Sequence, residues 1–132
     1  MKLVAINKAK KEHVKLLYDL LSERTPEESI SHKSMPTFPE HEKFVQSNPY
    51  FAWYLIDVDG EFVGSVYLSK QREIGISIFK SHRRKGYAEE AIKFLMARWP
   101  GKFHANINPA NIKSIMLFGK FGFGLTQHTY SK

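Results

Sequence analysis

The stretch "IFKSHRRKGYAEEAI", residues 78–92, decides how the rest of the chain is read. A strand-like run ends at Ile78. Three cations, Arg83, Arg84 and Lys85, lead into Gly86, and a helical pattern follows at once. A helix start exposes backbone N–H groups that no intrahelical carbonyl can accept, and the helix dipole adds partial positive charge there. Such a place suits an anion, above all a phosphate. Gly86 removes the Cβ that would hold the anion off the backbone, and Ala88 keeps the next turn small. The alternative is a solvated basic turn in which the glycine is only a bend. From this stretch alone the two readings weigh equally, because short glycine motifs recur by chance.

Working outward, "REIGISIFK" reads as a strand. Ile74, Ile76 and Ile78 alternate onto one face; Glu73, Gly75 and Ser77 onto the other. Before it, "YFAWYLIDVDGEFVGSVYLS" places two β-rich runs around Asp59-Gly60, a dipeptide suited to a type I′ hairpin turn. After it, Ala88, Ile92, Leu95, Met96 and Trp99 form the apolar stripe of a helix that Pro100-Gly101 ends. "KFHANIN" reads as a strand, "PANIKSIMLFGKFGF" as a helix closed by Gly122 in a left-handed cap, and "FGLTQHTYSK" as a last strand. At the amino end, "KLVAIN" reads as a strand. "KAKKEHVKLLYDLLSERT" is a helix with Val14, Leu17, Tyr18 and Leu21 on one face, and "PEHEKFVQSN" is a short helix after an irregular, proline-containing loop. A meander followed by strand–helix–strand predicts one α/β domain over residues 1–132, with a mixed, mostly antiparallel sheet flanked by helices.

Composition narrows the function classes. The 132 residues suffice for one core. The absence of cysteine excludes disulfides and thiolate metal sites, and makes a reducing cytoplasm the simplest compartment. The six histidines show no metal-ligand spacing, so no metal is expected. No apolar run spans a bilayer and the start does not read as a signal peptide, so no membrane partner is expected. A net charge of +7 favours a polyanionic or phosphorylated partner. Charge alone would also allow a basic nucleic-acid module, but no nucleic-acid-binding motif accompanies it, and a nucleic-acid partner is not expected.

The hexapeptide "RRKGYA", between a strand and a helix, resembles the R-x-x-G-x-A form of the acyl-CoA signature of the GNAT superfamily, the acetyl-CoA-dependent N-acetyltransferases. "NPANIKSIMLFGKFGF" resembles that family's second cofactor segment, and the order of elements resembles the family's along nearly the whole chain. The resemblance implies a GNAT-like sheet with one splayed strand pair and acetyl-CoA as co-substrate. Ile76, Ser77 and Ile78 would pair with the pantetheine arm like an added strand. Arg83, Arg84, Lys85, Gly86, Tyr87 and Ala88 would receive the pyrophosphate. Asn111, Ser114 and Phe118 would line the cofactor from the following helix.

Acetyl transfer to an amine needs a proton acceptor, donors for the developing oxyanion, and a proton or other stabilisation for the leaving thiolate. Glu73 is the candidate base, with the small Gly75 and Ser77 beside it leaving room for a substrate. The bland alternative is a strand-end carboxylate paired with Arg72 or a lysine. Where many relatives carry a proton-donating tyrosine in the last helix, this chain has Phe118, so the donor must be another group, Tyr130 or His128, or the thiolate leaves unaided. A non-catalytic CoA-binding relative is the corresponding alternative. His32 and Met35, in the irregular loop, are candidate acceptor contacts against a plain polar connector. Trp53, Tyr54 and Tyr67 read as core or sheet-face aromatics. The implied acceptor is a small-molecule primary amine, in first place an amino sugar on a nucleotide-linked surface-polysaccharide precursor. A protein amino terminus or a polyamine is the alternative. The family commonly has a further strand at the carboxyl end, so the chain is read as a monomer or a homodimer.

Overall fold

The computed structural model describes residues 1–24 and 35–126. Four strands form one antiparallel meander: β1 (Lys2–Ala5), β2 (Ala52–Val58), β3 (Glu61–Leu68) and β4 (Ile74–Ile78), in that spatial order. The helices α1 (Lys11–Ser22) and α2 (Phe38–Gln46) precede β2. The helices α3 (Tyr87–Arg98) and α4 (Ile112–Lys120) follow β4.

Strand alternation splits the core into two layers. Leu55 and Trp53 meet Val14, Leu17 and Leu20 of α1 and Val45 of α2 on one face. Ile56, Val66, Leu68 and Ile74 meet Ala91, Ile92 and Leu95 of α3 and Phe118 of α4 on the other. The α1 stripe is shifted slightly from its sequence reading: His13 and Leu20 are buried with Val14 and Leu17. Thr37 and Glu40 form a reciprocal capping box at the start of α2. The β2–β3 turn is as expected, with positive φ at both Asp59 (52°) and Gly60 (85°). One residue, Val63, is extra between the pairs Ile56–Gly64 and Asp57–Phe62. This bulge turns Val63 into the α3 layer while Phe62 stays in the α1 layer.

The carboxyl part of the sheet departs from the sequence reading. The segment 102–108 is not a strand; it touches β4 through a single parallel bridge, Glu73 to His104. Two hydrogen bonds make that bridge, from Ile74 N–H to the His104 carbonyl (2.8 Å) and from His104 N–H to the Arg72 carbonyl (2.9 Å). Among the described residues pairing then stops, so the sheet seen there is four antiparallel strands with one point of parallel contact. Residues 123–126 carry no strand either, and the rest of the expected last strand, 127–132, lies outside the described residues. Among the described residues, no helix is long and apolar enough to cross a membrane.

Arg72 fixes where the two segments part. Its Nε donates to the Lys102 carbonyl (3.0 Å) and an Nη to the Trp99 carbonyl (2.7 Å), while its guanidinium lies over the Phe103 ring. It is therefore not the partner of Glu73. Gly101 takes φ 146°, a conformation that favours glycine, and a Cβ there would also lie 2.7 Å from the same guanidinium.

Candidate active site

Beyond Ile74, one edge of β4 has no strand beside it among the described residues. Phe79 N–H donates to the Val63 carbonyl and Ser69 N–H to the Glu73 carbonyl, so the odd-numbered peptides of β4 face β3. Ile74 N–H points the opposite way, and alternation turns the backbone groups of Ile76 and Ile78 to that same free edge. The backbone of Ser77 is spent on β3 instead, opposite Ser65. Of Ile76, Ser77 and Ile78, the first and the last turn their backbone groups to the free edge, and Ser77 does not.

The free edge runs directly into the turn before α3. A single 3₁₀ turn, Lys80–His82, reverses the chain. Three contacts hold it. The Glu23 carboxylate at the end of α1 accepts from Lys80 N–H (2.8 Å), Glu61 accepts from or pairs with His82 Nε2 (2.9 Å), and Arg83 Nε donates to the Ile78 carbonyl (3.2 Å). Arg84 then takes φ 64° and Gly86 φ 80°, so two left-handed residues flank Lys85. Gly86 is the N-cap of α3, and no side chain caps it. The first-turn amides of α3 therefore point out of a turn whose Arg84, Lys85 and Gly86 are all exposed. Glu89 and Glu90 in that first turn lower the local potential, and Arg84 and Lys85 offset them. A Cβ on Gly86 would touch nothing within 4 Å, so its conformation is what requires glycine in the free protein.

At α4, Asn111 is the N-cap and its side chain accepts from Ser114 N–H (3.2 Å). The helix closes as expected, with Gly122 at φ 82° and Phe123 N–H returning to the Phe118 carbonyl. Phe118 does not face the open surface. It is 4% exposed, packed edge-on against Phe123, and belongs to the core that includes Ile76 and Ile78.

The other face of β4 corrects the expected substrate space. Glu73 forms no ion pair among the described residues and stands at the point where the strands part. The place above Gly75 is not open: the Tyr67 ring lies across it, and a Cβ there would overlap the ring. Tyr50 stacks on Tyr67 with centroids 3.8 Å apart and planes 6° from parallel. Burial first, and the neighbouring Tyr67 second, push the Tyr50 hydroxyl far above its ordinary pKa, so it stays neutral. Glycine at 75 and aromatics at 50 and 67 were separate facts in the sequence; only the β3–β4 register, with Tyr67 opposite Gly75, joins them. Met35 is exposed (43%) ahead of α2. His32, His128 and Tyr130 lie outside the described residues. Among the described residues, no three His, Asp or Glu side chains gather to hold a metal.

The edge and turn fit a CoA moiety. The edge offers a backbone donor and acceptor at Ile76 and a donor at Ile78, whose carbonyl already accepts from Arg83, and the cationic turn beyond it offers unpaired amides.

A model of the acetyltransferase (GNAT) domain matches residues 5–124. No relative among curated proteins matches the sequence. Several solved structures share the fold. One is a domain from Methanocaldococcus jannaschii (24% identity, TM-score 0.79, 97% of this chain and 90% of that one). Another is the spermidine N-acetyltransferase of Vibrio cholerae in complex with CoA and spermine (19%, TM-score 0.78, 96% and 82%). A third is a ribosomal-protein-alanine N-acetyltransferase from Brucella melitensis (16%, TM-score 0.69, 92% and 83%).

Proposed function

The chain belongs to the GNAT acetyltransferase family, and from that premise we propose that it moves the acetyl group of acetyl-CoA to a primary amine by direct attack. The observation that carries this reading is the continuity of the free β4 edge with the turn at 84–88. Acetyl-CoA supplies an activated acetyl thioester. The chain supplies the rest. The edge groups of Ile76 and Ile78 hold the pantetheine arm, and the amides from Arg84 to Ala88, with Arg84 and Lys85, hold the pyrophosphate. Asn111 and Ser114 face the arm from the start of α4. A free N–H of the edge is the donor for oxyanion charge. Glu73 takes the proton that the amine must lose. With Phe118 in the core, the helix α4 brings no donor at that position, and the thiolate departs with the help of solvent or of a group outside the described residues.

For the acceptor we favour an amino sugar on a nucleotide-linked precursor. The chain's charge of +7 attracts such an anion and repels a polycation. A polyamine or a protein amino terminus is the second reading, supported by the spermine held in the Vibrio cholerae structure. The test is CoA release with acetyl-CoA against amino-sugar nucleotides, spermidine and amino-terminal peptides. Turnover with one class is expected, and Glu73→Gln should slow it at neutral pH. Acetyl-CoA that neither raises the melting temperature at millimolar concentration nor turns over with any amine would end this reading.

A further inference from the structure

The row of side chains on the α1-facing side of β4 has a gap that another strand fills. Glu73, residue 75 and Ser77 share that face, at about 6.6 Å spacing along a strand. Residue 75 has no side chain, and Tyr67 of β3 supplies one in its place. The Tyr67 hydroxyl oxygen lies 2.5 Å from where a Gly75 Cβ would stand. The hydroxyl therefore sits over β4 itself, in line with Glu73. Its neighbours are fixed: Tyr50 is stacked behind the ring, and β3 holds the register. Tyr67 remains partly exposed, whereas the flanking Val66 and Leu68 are buried.

We propose that Tyr67 is a substrate-contacting residue of the acetyl transfer: its oxygen accepts a hydrogen bond from the acceptor amine and directs the nitrogen lone pair toward the free β4 edge. This rests on the function proposed above. The same hydroxyl carries the proton onward. As the attacking nitrogen becomes positive, its N–H bond breaks and a bond to the Tyr67 oxygen forms. Tyr67's own proton passes to a bridging water, and a proton of that water passes to the Glu73 carboxylate. One proton leaves nitrogen and one arrives at Glu73. Neighbouring positions on one strand face put the Glu73 carboxylate and the Tyr67 hydroxyl within reach of a shared water. Gly75 is then a specificity for glycine with a catalytic consequence, because any side chain there displaces the hydroxyl.

The test is Tyr67→Phe, which keeps the ring, its stack on Tyr50 and its seat over Gly75. With the amine that turns over fastest among those named above, kcat should fall at least tenfold, while the KM for acetyl-CoA stays as in the wild type and the melting temperature drops by only the few degrees that losing the Tyr50–Tyr67 hydroxyl hydrogen bond costs. Because the two groups share one proton path, Tyr67→Phe combined with Glu73→Gln should be no slower than the slower single variant. A Tyr67→Phe enzyme within twofold of wild-type kcat, or a double variant whose loss is the product of the two, would overturn the role of Tyr67 and leave the acetyltransferase reading standing. A wild-type chain that releases no CoA with any amine removes both.

Discussion

Replacing Gly75 with alanine separates what that glycine does for stability from what it does for the site. The added methyl would overlap the far end of the Tyr67 side chain, which can swing away without moving backbone. Swinging it away breaks the stack with Tyr50, a loss of about 0.5–1.5 kcal/mol for an aromatic pair. Alanine in place of glycine within a strand returns about 0.5–1 kcal/mol of backbone entropy. The net change therefore lies between a gain of about 0.5 and a loss of about 1 kcal/mol. An unfolding entropy of about 2.1 cal/mol/K per residue over this length converts 1 kcal/mol into about 3.6 °C. Gly75→Ala should thus shift the melting temperature by less than about 4 °C, yet cut turnover as severely as Tyr67→Phe. Gly64→Ala is the contrast. Its methyl would overlap the Ser77 carbonyl oxygen and lie 3.0 Å from the Ile78 Cα, both backbone, so β4 itself must move. A cost of about 3 kcal/mol, near 11 °C, follows. Thermal melts followed by circular dichroism, with CoA release on the same samples, give both quantities. Equal destabilisation by the two alanines, or a Gly75→Ala enzyme with wild-type turnover, would refute the reasoning.

Gly86→Val should weaken acetyl-CoA binding at least tenfold by calorimetry, and forcing a branched residue to φ 80° should cost about 1–2 kcal/mol in a thermal melt; unchanged affinity would detach the turn from the cofactor. Stability should also fall with acid through two buried histidines. His13 accepts from Asn7 N–H, and His41 Nε2 donates to the Val14 carbonyl. Burial is the main cause that lowers the pKa of each. Their folded pKa values lie below the unfolded value near 6.5, so below that pH the unfolded chain takes up protons that the folded chain refuses. The melting temperature should hold from pH 8 to about 7 and decline from pH 6.5 toward 5, and a flat or rising trend over that window would contradict their burial as neutral rings.

How much of this could be read from the chain alone follows from the range of each interaction. The turn at 84–88, the Asp59-Gly60 hairpin and the Gly122 cap are local; a few neighbouring residues contain all the chemistry that forms them. The Tyr67–Gly75 contact depends on register across the β3–β4 connection, which no local pattern states. The strand expected at 102–108 had the right alternation, but alternation cannot report whether a partner continues beside it, and here Arg72 ties the approach to the end of α3 after one bridge. Phe118 was placed by likeness to a second cofactor segment, whereas its apolar ring gains more from the core than from a polar ligand. The left-handed Arg84 had no signal at all, since arginine carries no preference for that conformation.

A strand margin kept vacant for a ligand will also accept any other extended chain, including another molecule of the same protein. Two features limit that hazard: the margin is short, and the Arg83 guanidinium occupies one of its carbonyls. Saturation with CoA would close what remains, so resistance to clumping should track cofactor occupancy more closely than it tracks melting temperature.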